Sequence, residues 1–139
     1  MNDLMHDDRM LTKLDHIRVS RLVSGGHDPI LHAGERMQEI LDGSQIVPSP
    51  AVPASVITMN SHVLLEDEQA GKRFELVLCY PQEANASLGK ISVLSPAGAA
   101  LLGLQEGAVA HWQGPAGDRR GARVVSILYQ PEAAGDYVT

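Results

Sequence analysis

One cysteine, one tryptophan, one phenylalanine, three tyrosines and an excess of acids over bases set the first limits on this 139-residue chain. Cys79 stands alone, so neither a disulfide framework nor a cysteine-based zinc cluster can be built, which suits a reducing compartment. Phe74, Tyr80, Trp112, Tyr129 and Tyr137 are scattered along the chain. The core must therefore be aliphatic, and an aromatic-lined ligand pocket is hard to assemble. Positive charge is scarce as well: 11 Lys and Arg face 17 Asp and Glu, for a net charge of -6. That removes the counterion release that drives nonspecific nucleic-acid binding, so direct DNA binding is not expected. The opening stretch MNDLMHDDRM lacks the basic flank and apolar run of a secretory leader. No segment approaches the roughly 20 apolar residues that cross a bilayer, so the expected location is the cytoplasm with no membrane partner.

What is present reads as globular, with 44% hydrophobic and 20% charged residues. The length suits one ordinary domain, or a compact domain with an appendage. Residues 8–42 read as two short helices, within an expected arm of residues 1–45. Met10, Leu11, Leu14, Ile17 and Leu22 form an apolar stripe flanked by Arg18 and Arg21. Gly25-Gly26 can stop that helix, and Asp28-Pro29 can start a second as N-cap and first residue. Ile30, Ala33, Met37, Ile40 and Leu41 share one face of the second helix, with Gly43 as its C-cap. The expectation is a short antiparallel helical hairpin. Three prolines in residues 46–55 predict an extended connector.

Residues 56–139 change to the twofold alternation of strands. SVITMN and HVLLED read as successive strands with a turn at Asn60-Ser61. RFELVLCY alternates Phe74, Leu76, Leu78 and Tyr80, KISVL is a further strand, and GAVAHWQ with ARVVSILYQ makes a final pair. Five or six strands and one short helix predict an α+β fold with a mainly antiparallel sheet.

The corner after KISVL decides between chemistry and architecture. Ser95-Pro96 matches an N-cap followed by the first helical residue, and Gly103 sits where a helix ends in a left-handed residue. A nucleophile elbow needs glycine on both sides of the serine, but Val93 and Ala97 occupy those places. A dinucleotide loop needs a leading Gly-x-Gly that is missing here. The corner is therefore expected to be a rigid surface for a partner rather than an active site, and no catalytic residue is assigned. The six histidines do not form a ligand set: His27 and His32 are five apart, not the three or four that align two ligands on a helix. No metal or other cofactor is expected. Arg119, Arg120 and Arg123 cluster in DRRGAR, either as a solvated turn or as a contact for an acidic surface.

Residues 56–61 (VITMNS), 89–107 (GKISVLSPAGAALLGLQEG) and 129–137 (YQPEAAGDY) together resemble the regulators of nucleoside diphosphate kinase, relatives of the Gre transcript-cleavage factors. The resemblance covers most of residues 56–139 and matches residues 1–45 only in kind. It implies an FKBP-like fold for residues 56–139, and RNA polymerase at the rim of its secondary channel as partner. On that basis Leu94, Ser95 and Pro96 become candidate docking residues, with Leu94 standing where Gre proteins tend to carry an acid. Gly25, Gly26, His27 and Asp28 become the arm's tip, and Arg119, Arg120 and Arg123 a further contact. In the Gre relatives the tip carries paired carboxylates, because a hard divalent cation needs several oxygen ligands. Here the tip offers Asp28 alone, and Glu35 lies about two turns down the helix. The implied function is a non-enzymatic regulator that binds polymerase and competes with Gre factors without stimulating cleavage. Two other readings differ in class. One is a protein acting directly on nucleoside diphosphate kinase or another metabolic enzyme. The other is a prolyl isomerase, which would need several aromatics gathered in one pocket.

Overall fold

A computed structural model describes residues 8–25 and 31–137. Its element order is β1 (Met10–Thr12), α1 (Lys13–Ser24), α2 (Leu31–Gly43), β2 (Gln45–Val47), β3 (His62–Asp67), β4 (Arg73–Cys79), β5 (Lys90–Ser92), α3 (Pro96–Leu101), β6 (Val109–Gln113) and β7 (Arg119–Tyr129). The result is an α+β fold. Five strands form one sheet in the order β5-β4-β3-β7-β6, antiparallel throughout except for the parallel β4–β5 pair. Val63, Leu65, Leu76, Leu78, Ala110, Ala122 and Val124 point to one face and are buried. This is the alternation that the sequence displays, with α3 and the N-terminal helices covering that face.

Three local expectations change. Residues 10–12 are not the first turn of a helix but strand β1, parallel to β2, with Met10 paired to Gln45 and Thr12 to Val47. Helix α1 starts at Lys13 because Thr12 caps it, its hydroxyl accepting the Asp15 N–H at 3.0 Å. The segment SVITMN is not a strand. Val56 makes one isolated bridge to Gln105, and the chain then turns sharply. Thr58 N–H donates to Ser61 Oγ, Ser61 N–H returns to the Thr58 carbonyl, and Asn60 takes a left-handed φ of 68°. Finally, the apolar stripe of α1 is rotated from its expected position. Ile17 is 39% exposed while Val19 is fully buried, and the residue beside Val19 on the core face is the acid Asp15, at 2% exposure.

Residues 46–55, expected as a connector, begin in β2 and then make a short 3-10 turn over Ser49–Ala51. Leu11, Val19, Met37, Ile40 and Leu41 from the N-terminal segment join the buried residues of the sheet and α3 in one continuous hydrophobic cluster. The His16 ring meets the Leu41 carbonyl at 3.2 Å, tying α1 to α2. Gly25 closes α1, its N–H donating to the Arg21 carbonyl at 2.9 Å. The expected tip residues Gly26, His27, Asp28 and Pro29 lie outside the described residues.

Candidate docking corner and the arm–domain joint

The corner of residues 94–96 is held by its own hydrogen bonds. Ser95 Oγ donates to the Ser92 carbonyl at 2.6 Å and accepts the Gly98 N–H at 3.1 Å. The Leu94 N–H donates to Ser92 Oγ at 3.0 Å. With its proton committed to a backbone carbonyl and its lone pair to an N-cap, Ser95 is built as a cap and not as a nucleophile. Gly98 is glycine for a steric reason: a Cβ there would collide with the Ser92 carbonyl oxygen. The helix can therefore lie directly on the strand end, burying Ala99, Ala100 and Leu101. What faces outward is Pro96, exposed, beside half-buried Leu94 and Ser95.

The far end of α3 is fixed from the N-terminus. Arg9, only 6% exposed, donates through one guanidinium nitrogen to the carbonyls of Ala99 at 3.1 Å and Leu102 at 2.8 Å. These are among the carbonyls that a helix C-terminus leaves without partners, and a cation is the donor that end favours. Gly103 follows in the expected left-handed conformation, at φ 83°, with its amide and carbonyl joined to Ile57 and Met10. A Cβ on it would press on the Met10 carbonyl oxygen at 3.1 Å.

A second buried polar cluster joins α1 to the sheet domain. Asp15 Oδ2 accepts the Met59 N–H at 3.1 Å. Thr58 Oγ1 donates to Glu132 at 2.7 Å, which brings in the C-terminal segment. That segment folds back through a 3-10 turn at Glu132–Ala134, and buried Gln130 donates to the carbonyls of Pro53 at 2.8 Å and Val56 at 2.7 Å. Burial, above all, pushes the Asp15 carboxyl up to about 6, with the Glu132 charge adding to the rise. The Met59 N–H, the Thr12 hydroxyl and Arg18 act the other way. The Tyr80 hydroxyl is raised as well, first by burial and then by Asp15, against the opposing pull of Arg18. An open groove of about 420 Å³ runs beside this joint, lined by Arg18, Arg21 and Leu22 of α1 with Asn60, Tyr80, Gln82 and Glu83.

The arginine cluster lies elsewhere. It sits on the β6–β7 hairpin, at the opposite sheet edge from β5, which leads into the corner. Arg120 donates to Asp118 at 2.9 Å and holds that carboxyl below its usual range. Arg123 lies 3.7 Å from Glu66, which also takes Arg73 at 3.2 Å. Arg119 is exposed. The ion pairs of Arg120 and Arg123 are with Asp118 and Glu66 and not with the corner, although α3 packs against β6. Among the described residues, no group of three or more His, Cys, Asp or Glu is arranged to hold a metal ion, and no helix is long and apolar enough to cross a membrane. Phe74, Tyr129 and Tyr137 are exposed at 39%, 47% and 42%, so the aromatics do not gather into a pocket.

Sequence reasoning passed over Arg9, Asp15 and the Thr58–Glu132 pair. A signal for Asp15 existed: Thr12-x-x-Asp15 has the spacing of a capping box. In the fold the acid keeps the Thr12 hydroxyl as a partner and also reaches out to the Met59 N–H.

Comparison with known proteins agrees with this architecture. The family described as "Transcription elongation factor, GreA/GreB, C-term" matches residues 52–129. The regulator of nucleoside diphosphate kinase of Escherichia coli K12 is 35% identical over 93% of this chain and 95% of its own length. The transcription elongation factor GreA of Polaromonas naphthalenivorans is 35% identical over 68% of this chain and 61% of its own length. A solved GreA/GreB elongation factor from Nitrosomonas europaea superposes with a TM-score of 0.72 at 33% identity, covering 88% of this chain and 98% of that one. The segments that anchor the fold here, from the Thr58–Ser61 turn through the Ser95 corner to Tyr129, fall within the matched region. The chain belongs to the GreA/GreB transcription elongation factor family, and within it stands with the regulators of nucleoside diphosphate kinase.

Proposed function

We propose that this protein binds RNA polymerase at the rim of its secondary channel and competes there with Gre-type factors without stimulating transcript cleavage. What supports the reading is the family match over residues 52–129, an outward-facing Ser95-Pro96 corner held by its own hydrogen bonds, and N-terminal helices of only 12 and 13 residues. At 1.5 Å per residue each helix spans about 20 Å, a blunt prong suited to occupying an opening. The hairpin form of that arm and an FKBP-like class for the sheet domain are part of the same proposal. So is a division of the chain into arm (1–45), connector (46–55) and docking domain (56–139).

The corner is the surface to test. Ser95→Arg and Pro96→Arg place a long cation on the rim, and a pull-down of core polymerase by either variant should fall at least tenfold, with an unchanged circular dichroism spectrum. Full retention by both variants removes the corner from the interface. In the same preparation, stalled elongation complexes incubated with the wild-type protein should release no cleaved RNA.

A second reading, direct action on nucleoside diphosphate kinase, is favoured by the name of the 35% identical relative. Co-purification separates the two: polymerase subunits support the first, the kinase supports the second.

A further inference from the structure

We propose that Asp15 makes the joint between α1 and the sheet domain a proton-sensitive latch, tight when the carboxyl is protonated and loosened when it is ionised. The geometry is that of a buried polar fastener set into an apolar contact. Asp15 is 2% exposed and reaches across from α1 to accept the Met59 N–H at 3.1 Å, within the tight turn that also holds Thr58 to Glu132. Its charged and titratable neighbours come from every element packed on it: Arg18 from α1 itself, Tyr80 from just beyond β4 and Glu132 from the C-terminal turn. Arg18 is shared with the Tyr80 hydroxyl, while Glu132 opposes the Asp15 charge.

The ionised carboxylate is therefore desolvated and faces a second acid, and the Met59 N–H, the Thr12 hydroxyl and Arg18 offset that cost only in part. Protonation removes the charge, and with the proton on Oδ1 the Oδ2 atom can continue to accept from Met59. The linkage has one sign. The folded pKa of about 6 lies above the ordinary value of 3.8, so the closed joint holds the proton more tightly than the open one. Closure is strongest below about pH 4, weakens as pH rises through about 6, and is constant above about pH 7. A difference of about two pH units corresponds to roughly a 100-fold change in the opening equilibrium over the whole range. The device is a property of this chain alone and does not depend on which partner the corner binds.

Hydrogen exchange on the full chain, corrected for intrinsic rates, tests it. Amides in the first half of α1 should open through a smaller free energy than those of Val63 and Leu65 in β3. Their opening constant should rise about 25-fold between pH 4.5 and pH 7.5, the part of the full change that falls in that window. Asp15→Asn, which keeps the acceptor and removes the charge, should flatten that rise, and Glu132→Gln should shift it to lower constants at neutral pH. A pH dependence in Asp15→Asn equal to the wild type overturns the latch. So does a flat wild-type profile, or α1 amides that open only together with β3 at every pH. If Asp15→Asn does not fold, Glu132→Gln alone decides: an opening constant identical to the wild type at neutral pH is a refutation.

Discussion

Arg9 shows how one side chain can replace several weaker devices. It is buried, it reaches across ninety or more residues of sequence to α3, and it closes two carbonyls that would otherwise be stranded in an apolar setting. Arg9→Leu should lower stability by about 2–4 kcal/mol in urea denaturation, since hydrogen bonds to a charged donor are lost and their acceptors stay buried. Gly98 supplies the complementary test. With its Cβ position occupied by the Ser92 carbonyl, Gly98→Ala should cost at least about 2 kcal/mol and shift α3 off the strand end. A Gly98→Ala protein as stable as the wild type would mean that the corner yields, and its rigidity would go as well. None of these roles is visible in composition. Ser95 and Gly103 were legible because capping is a local grammar, written within four residues of the helix end. Arg9 and Asp15 were not, because their partners are distant in sequence and the burial of a charged group has no period.

Among the elements, the sheet was read correctly where the alternation was clean. HVLLED, RFELVLCY and ARVVSILYQ became β3, β4 and β7, each turning alternate residues to the core face. SVITMN failed despite its β-branched residues, because the Thr58–Ser61 turn and the left-handed Asn60 direct its backbone to tertiary partners. Residues 10–12 failed for a related reason. Their apolar spacing fits a helix, but pairing with Gln45–Val47 and the bond from Met10 N–H to the Gly103 carbonyl fix them as strand. Tertiary contact overrode a propensity worth only tenths of a kcal/mol per residue. Helix α2 allows a direct check on how these elements cohere. Met37 is fully buried in the cluster shared with the sheet. Met37→Ala should therefore cost about 2–5 kcal/mol. Helical circular dichroism and the fluorescence of Trp112, which sits on β6, should melt together at the lowered midpoint. Two separated transitions would show that arm and sheet do not share a core.

For the whole molecule, the matched family segment, the outward corner and the two short N-terminal helices are the features on which the proposed docking surface and prong rest. The resemblance carried by VITMNS, the Ser95 corner and YQPEAAGDY is legible in the sequence, and the fold explains why those segments go together. The first ties to the last through Thr58 and Glu132, while the Ile57 carbonyl receives the Gly103 N–H at the end of α3. What could not be read was the joint between α1 and the sheet, because it depends on a buried acid facing a turn more than forty residues away. The decisive measurement is a competition at core RNA polymerase between this protein and labelled GreA. Displacement of GreA in proportion to added protein, with a parallel loss of GreA-stimulated RNA cleavage, is the predicted result. GreA that stays bound and fully active at saturating concentrations of this protein would contradict the proposed plug.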